Sequence, residues 1–155
     1  MILPAQMIRS RCLQSKMVSP FAERTVIHGM SYGLGPAGYD VRIKQRLTLM
    51  AGEFALASTV ERFHMPADVL AHVADKSTWA RRGLAVQNTI IEPSWTGWLT
   101  LELTNHGYAP IDIEAGSPIA QIIFHLLAEP TESPYAGKYQ NQADAPVAAI
   151  MEPAR

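Results

Sequence analysis

From Val41 onward the chain alternates apolar and polar residues with a period of two. In "VRIKQRLTL" Val41, Ile43, Leu47 and Leu49 share one face, interrupted only by Gln45. In "FALASTV" Phe54, Leu56 and Val60 do the same. "MAGE" between them reads as a tight turn, so the two segments are expected to pair as a short hairpin. Further strands are predicted at 69–74, 84–91, 98–105, 110–114 and 118–126, separated by the turn chemistry of "EPSWTG", "NHGYAP" and "EAGSP". Ahead of them, "PAQMIRSRCLQ" (4–14) reads as a short helix entered through Pro4, and "MSYGLGPAGYDV" as a Gly-rich run of turns. Many short strands with few helical turns predict an all-β barrel or sandwich. After Glu129 the character changes. Pro130, Pro134, Pro146 and Pro153 stand among small residues, so the tail is either disordered or ordered only by docking on something. The expected organisation is a β-barrel domain over 1–128 with 129–155 as its tail.

Composition narrows the class. A chain of 155 residues, 48% hydrophobic and 17% charged, suits one globular domain with a real core. A formal net charge of -1 argues against a protein that coats nucleic acid. No apolar run reaches the roughly 18 residues of a membrane span. The stretch "MILPAQMIRSRCLQSK" lacks the features of a signal peptide, and the single cysteine, Cys12, excludes an internal disulfide. A cytoplasmic location is expected. Zinc deaminase chemistry is not expected either, because H-x-E and P-C-x-x-C are absent and the five histidines lack metal-ligand spacing. G-x-S-x-G and Walker motifs are also absent. Any site should run on carboxylate, hydroxyl and cation chemistry.

Four stretches could carry it. In "WLTLELTN" (98–105) Leu99, Leu101 and Leu103 take one face, and Trp98, Thr100, Glu102 and Thr104 the other. A mid-strand Glu102 needs either a cross-strand cation on a wet sheet face or a function. In "KSTWARRGL" (76–84) Ser77 and Arg81 share a face if one helical turn ends at Gly83. Ser77 or Asp75 would cap that turn, and Lys76 would add charge for an anion; the alternative is a solvated surface turn. "EPSWTGW" (92–98) offers Glu92 and a tryptophan that either stacks on a ligand or joins the core. "PYAGKYQNQ" (134–142) sets Tyr135, Lys138, Tyr139 and Gln142 in an otherwise bland tail.

Five segments, in order, resemble the dCTP deaminases of the dUTPase-like superfamily. They are "SYGLGPAGYDVR" (31–42), "DKSTWARRGLAV" (75–86), "TIIEPSWTGWLTLELTN" (89–105), "GSPIAQIIF" (116–124) and "GKYQNQ" (137–142). The resemblance implies a distorted β-barrel or jelly-roll subunit. It implies a homotrimer with active sites between subunits, and a C-terminal tail that closes over the nucleotide as a lid. It implies deamination of dCTP to dUTP with Mg2+ on the triphosphate and no zinc, and dTTP as a candidate inhibitor. By the same resemblance Glu102 is the general base, Arg81 steadies its carboxylate, and Ser77 links the water to the phosphate region. Lys76 and Thr78 fall where relatives bind phosphate. Thr89 belongs to the base-reading loop, where Asn88 and Ile90 depart from the residues relatives usually carry. Glu92 and Trp95 match the sugar pocket, and Tyr135, Lys138 and Gln142 match a triphosphate clamp. A modified cytosine or dUTP stays open as substrate. So do a dUTP diphosphatase, a bifunctional enzyme giving dUMP, and an inactive nucleotide-binding trimer.

Overall fold

The computed structural model describes residues 1–152; Pro153, at the end of the predicted tail, lies outside the described residues. The chain runs α1 (Ala5–Ser15), β1 (Val18–Ser19), β2 (Thr25–Ile27), β3 (Met30–Leu34), β4 (Tyr39–Arg42), β5 (Leu47–Leu49) and β6 (Phe54–His64). It continues through β7 (Val69–Asp75), α2 (Ser77–Ala80), β8 (Leu84–Val86), β9 (Ile90–Ile91), β10 (Thr96–Asn105), β11 (Ile111–Ile113) and β12 (Pro118–Leu126). One sheet has the order β1-β6-β10-β8 and a second the order β2-β3-β4-β12-β7-β9, with β5-β11 as a separate pair. Together they curl around one core as the expected distorted barrel. Alternation built this core. Val69, Ala71 and Val73 of β7 and Ile122 and Phe124 of β12 point inward and are buried.

Three local expectations change. Val41, Ile43 and Leu49 are buried on one face as predicted, but the hairpin does not form. β4 pairs with β12 and β5 pairs with β11; against β6 the segment forms no strand ladder, only the isolated bridge Ile43 to Thr59 and side-chain and loop hydrogen bonds such as Lys44 N to the Ser58 carbonyl. A shared inward face does not specify a neighbour. The predicted strand 84–91 splits. β8 pairs with β10, whereas β9 pairs with β7, so the chain switches sheets across 87–89. There Gln87 N donates to the Glu102 carbonyl, and Val73 N to the Thr89 carbonyl. In the Gly-rich stretch, Met30–Leu34 is a strand. Gly33, at φ 87°, marks a close approach, because a Cβ there would lie 2.5 Å from the Glu23 carbonyl oxygen.

Between β4 and β6 lies an ion pair whose acid is fully buried and whose base is partly so. Glu61 is fully buried; its Oε1 accepts from Arg42 Nε at 2.8 Å and its Oε2 from the Arg42 backbone N–H at 2.9 Å. Burial pushes its carboxyl up, against the lowering effect of the Arg42 hydrogen bonds. Removing one member of such a pair strands the other. Glu61→Ala is therefore expected to cost about 3 kcal/mol, a fall in Tm of roughly 6–12 °C. Thermal denaturation followed by circular dichroism would check it; an unchanged Tm would show that the pair contributes nothing.

Candidate active site

The site is built on β10. Its register against β6 slips between Trp98 and Thr100: Trp98 faces Arg62, but Thr100 faces Ser58. The Leu99 amide leaves the ladder and donates to Thr59 Oγ1 at 3.1 Å. Such an irregularity re-aims side chains. Beyond it, Thr100 and Glu102 face a cavity of about 630 Å³ closed by β6, β9 and the tail. Phe54, Leu56 and Leu99 form apolar wall, while Thr89, Glu92 and Tyr135 add polar groups.

Glu102 has no cross-strand cation. Its register partner on β6 is Leu56, and its buried Oε2 has no hydrogen-bond partner among the described residues. Desolvation raises its carboxyl above the usual range, opposed by a backbone hydrogen bond. A half-buried carboxylate with a free acceptor, facing a cavity, is suited to take a proton from a bound water.

The tail orders by docking on its own chain. Tyr135 N donates to the Pro93 carbonyl at 3.0 Å, and Trp95 Nε1 to the Tyr139 carbonyl at 2.6 Å. Gln140 ties both directions: its Oε1 accepts from Thr96 N at 2.8 Å, and its Nε2 donates to the Ser94 and Tyr135 carbonyls. Gln142 Nε2 then donates to Thr100 Oγ1 at 2.6 Å. Trp95, 4% exposed and tilted against Phe63, is a core residue that also edges the cavity.

The stretch 76–84 sits elsewhere. Trp79 and Leu84 anchor it in the core, with Trp79 Nε1 donating to the Pro118 carbonyl at 2.6 Å. Lys76, not Ser77 or Asp75, is the N-cap, and no side chain caps the turn; Asp75 Oδ1 instead accepts from Val86 N. Lys76 and Ser77 line a second cavity of about 320 Å³ with Asp40, Asp75, Arg24 and Gln121. Lys76 is buried, its Nζ 2.5 Å from Asp40 Oδ2. Thr78, Arg81 and Asn88 are exposed and line neither cavity. Lys138 is exposed, with its Nζ over the Tyr139 ring. One chain thus gathers Thr89, Glu92, Trp95, Tyr135 and Gln142 around Glu102, and holds Lys76 and Ser77 apart from them. Reading side chains by type passed over Thr100 and Gln140 as site residues, and noted Tyr139 in the tail without giving it a role. For Thr100 the signal was present, since the period of two sets it on the Glu102 face.

Solved structures define the class. The chain matches the native EIAV dUTPase with a TM-score of 0.58 at 20% identity, over 79% of this chain and 98% of that one. It matches 2'-deoxycytidine 5'-triphosphate deaminase from Agrobacterium tumefaciens with a TM-score of 0.66 at 21% identity, over 81% of this chain and 47% of that one. The fold is therefore dUTPase-like. Sequence is more specific. Residues 40–127 match the family described as dCTP deaminase-like. The dCTP deaminase of Campylobacter fetus subsp. fetus is 36% identical over 168 aligned positions, covering 87% of this chain and 90% of that protein. That of Acidobacterium capsulatum is 35% identical, covering 87% and 91%. The chain belongs to the dCTP deaminase-like family.

Proposed function

We propose that the chain hydrolyses the C4 amino group of dCTP, giving dUTP and ammonia without zinc. The observation that carries this reading is Glu102, a carboxylate on the cavity wall whose buried Oε2 has no hydrogen-bond partner among the described residues. In this mechanism the Glu102 carboxylate takes a proton from water as its oxygen bonds to C4. Glu102 delivers that proton to N3, then takes the proton of the new C4 hydroxyl and passes it to the amino nitrogen as the C4 carbonyl forms. The C4–N bond then breaks, and ammonia leaves with its electron pair. Thr89 borders the base, Glu92 and Trp95 the sugar. Mg2+ would enter as part of the substrate, bound to its phosphates. Asp40, Asp75 and Ser77 supply hard oxygen donors suited to a magnesium–phosphate complex beside Lys76.

The separation of Ser77, Lys76 and Arg81 from Glu102 within one chain favours an assembly that joins them. In a homotrimer one subunit would bring this cationic turn to the next subunit's Glu102. Light scattering is expected to give the mass of three chains; an active monomer would contradict shared sites.

The dUTP diphosphatase reading is less favoured. Its carboxylate would come from "TIIEPSWTG", where Glu92 is exposed and Glu102 would have no task. The test is incubation with magnesium and dCTP, with dUTP and CTP in parallel, products separated by ion exchange and ammonia assayed. dUTP and ammonia from dCTP are expected. dUMP from dCTP would mean a bifunctional enzyme, consumption of dUTP alone a diphosphatase, and binding without turnover an inactive nucleotide-binding trimer.

A further inference from the structure

We propose that Thr100 is the positioning residue through which the tail completes the Glu102 cavity. The inference rests on the deaminase reading and on the tail closing over the nucleotide. Thr100 lies mid-strand and is 6% exposed. Two donors from the tail converge on its Oγ1: Gln142 Nε2 at 2.6 Å and Val147 N at 3.0 Å. A hydroxyl has two acceptor lone pairs and one proton. The tail occupies both lone pairs, so the proton is the only group Thr100 has left to offer.

The approach is close. Gln142 forms a parallel bridge with Gly97, and its carbonyl accepts from Trp98 N at 3.3 Å. Gly97 has φ 149°, and a Cβ there would lie 2.7 Å from Gln142 N. The backbone seats Gln142 at 97–98, and its side chain then reaches two positions further to Thr100. Past it, Val147 and Ala149 contribute cavity wall. Those walls stand against Glu102 only while the tail is held, and beyond the contacts at Thr96 and Trp98 it is at Thr100 that a side chain and a backbone amide of the tail bind one hydroxyl on the strand that carries Glu102. The contact also engages Gln142, the residue that the family resemblance assigns to the triphosphate. Tail position and nucleotide binding therefore share one side chain.

The test compares Thr100→Val, which keeps shape and loses the acceptor, with Thr100→Ser, which keeps the acceptor. Hydrogen exchange at the Val147 amide of the nucleotide-free protein is expected to quicken about tenfold in Thr100→Val and little in Thr100→Ser. With dCTP, Thr100→Val is expected to raise KM about tenfold with kcat changed less than about threefold, and Thr100→Ser to restore KM. A general packing defect would instead lower Tm and kcat and would not be rescued by serine. Unchanged Val147 exchange in Thr100→Val, or a released tail with unchanged KM, overturns the proposal. Failure of the deaminase reading would look different, as absence of turnover in the parent protein; the exchange result alone would then decide whether Thr100 holds the tail.

Discussion

Glu102→Gln is expected to reduce ammonia release from dCTP about 10³-fold or more, the upper part of the range for loss of a general base, while nucleotide binding stays near that of the parent. Glutamine preserves shape and loses the acceptor that takes the water's proton. Steady-state assays paired with calorimetric titration of dCTP would measure both. A loss below about tenfold would remove Glu102 as the base. The same substitution has a stability signature. Desolvation raises the Glu102 carboxyl, so the folded chain holds that proton more tightly than the unfolded chain does. Its stabilising contribution is present below the unfolded pKa and is lost as pH rises through the folded one. Glu102→Gln should therefore raise Tm at pH 7, and the gain should vanish below about pH 4, where the carboxyl is protonated in the unfolded chain as well. Turnover of the parent should fall on the acid side as pH drops through the raised pKa, because a protonated Glu102 cannot accept from water. Equal Tm values for parent and variant at pH 7 would show that the orphaned carboxylate costs the fold nothing.

Deleting residues 130–155 is the second large effect. It should lower kcat/KM for dCTP by about 10²-fold or abolish activity, on the scale of a displaced positioning element. The barrel should persist. The tail's bonds to Trp95 Nε1, Thr96 N and Thr100 Oγ1 lie at the surface that deletion uncovers, so water replaces them. Far-ultraviolet circular dichroism should keep its β signature, with Tm lowered by only a few degrees. Normal turnover by the truncated chain would refute the lid. Loss of the β signature would make the tail part of the folding unit instead.

The period of two was enough to find β7, β10, β11 and β12 within a few residues, because one face of each is buried against the core and alternation is a direct consequence. It found β6 too, but with the faces exchanged: Ala57, Thr59, Glu61 and Phe63 are buried, whereas Phe54 and Leu56 line the Glu102 cavity and Phe54 is exposed. It also set Glu102 and Thr100 on a common face. It failed where the deciding contact was remote in sequence. Residues 84–91 read as one strand because both ends are apolar; they became two because Leu84–Val86 had β10 to pair with and Ile90–Ile91 had β7. The 41–60 hairpin failed for a related reason: periodicity states which way a side chain points and is silent on which strand lies alongside.

The site shows the same division. By itself the sequence determined an all-β domain, the mid-strand place of Glu102 on one face with Thr100, and the gathering of Lys76, Arg81 and Arg82 with Ser77 in one short turn, because each follows from side-chain type and spacing along one segment. That Glu102 Oε2 lacks a partner among the described residues, and that Trp79 and Leu84 anchor the turn in the core, was decided by the tertiary structure alone. Only the tertiary structure decided that the outward face of β10 is covered, since that depends on the tail returning more than forty residues later to Thr100. Only it decided that Lys76 spends its charge on Asp40, thirty-six residues away. A polar side chain's partner is set by where the fold brings a complementary group, and no local pattern records that distance.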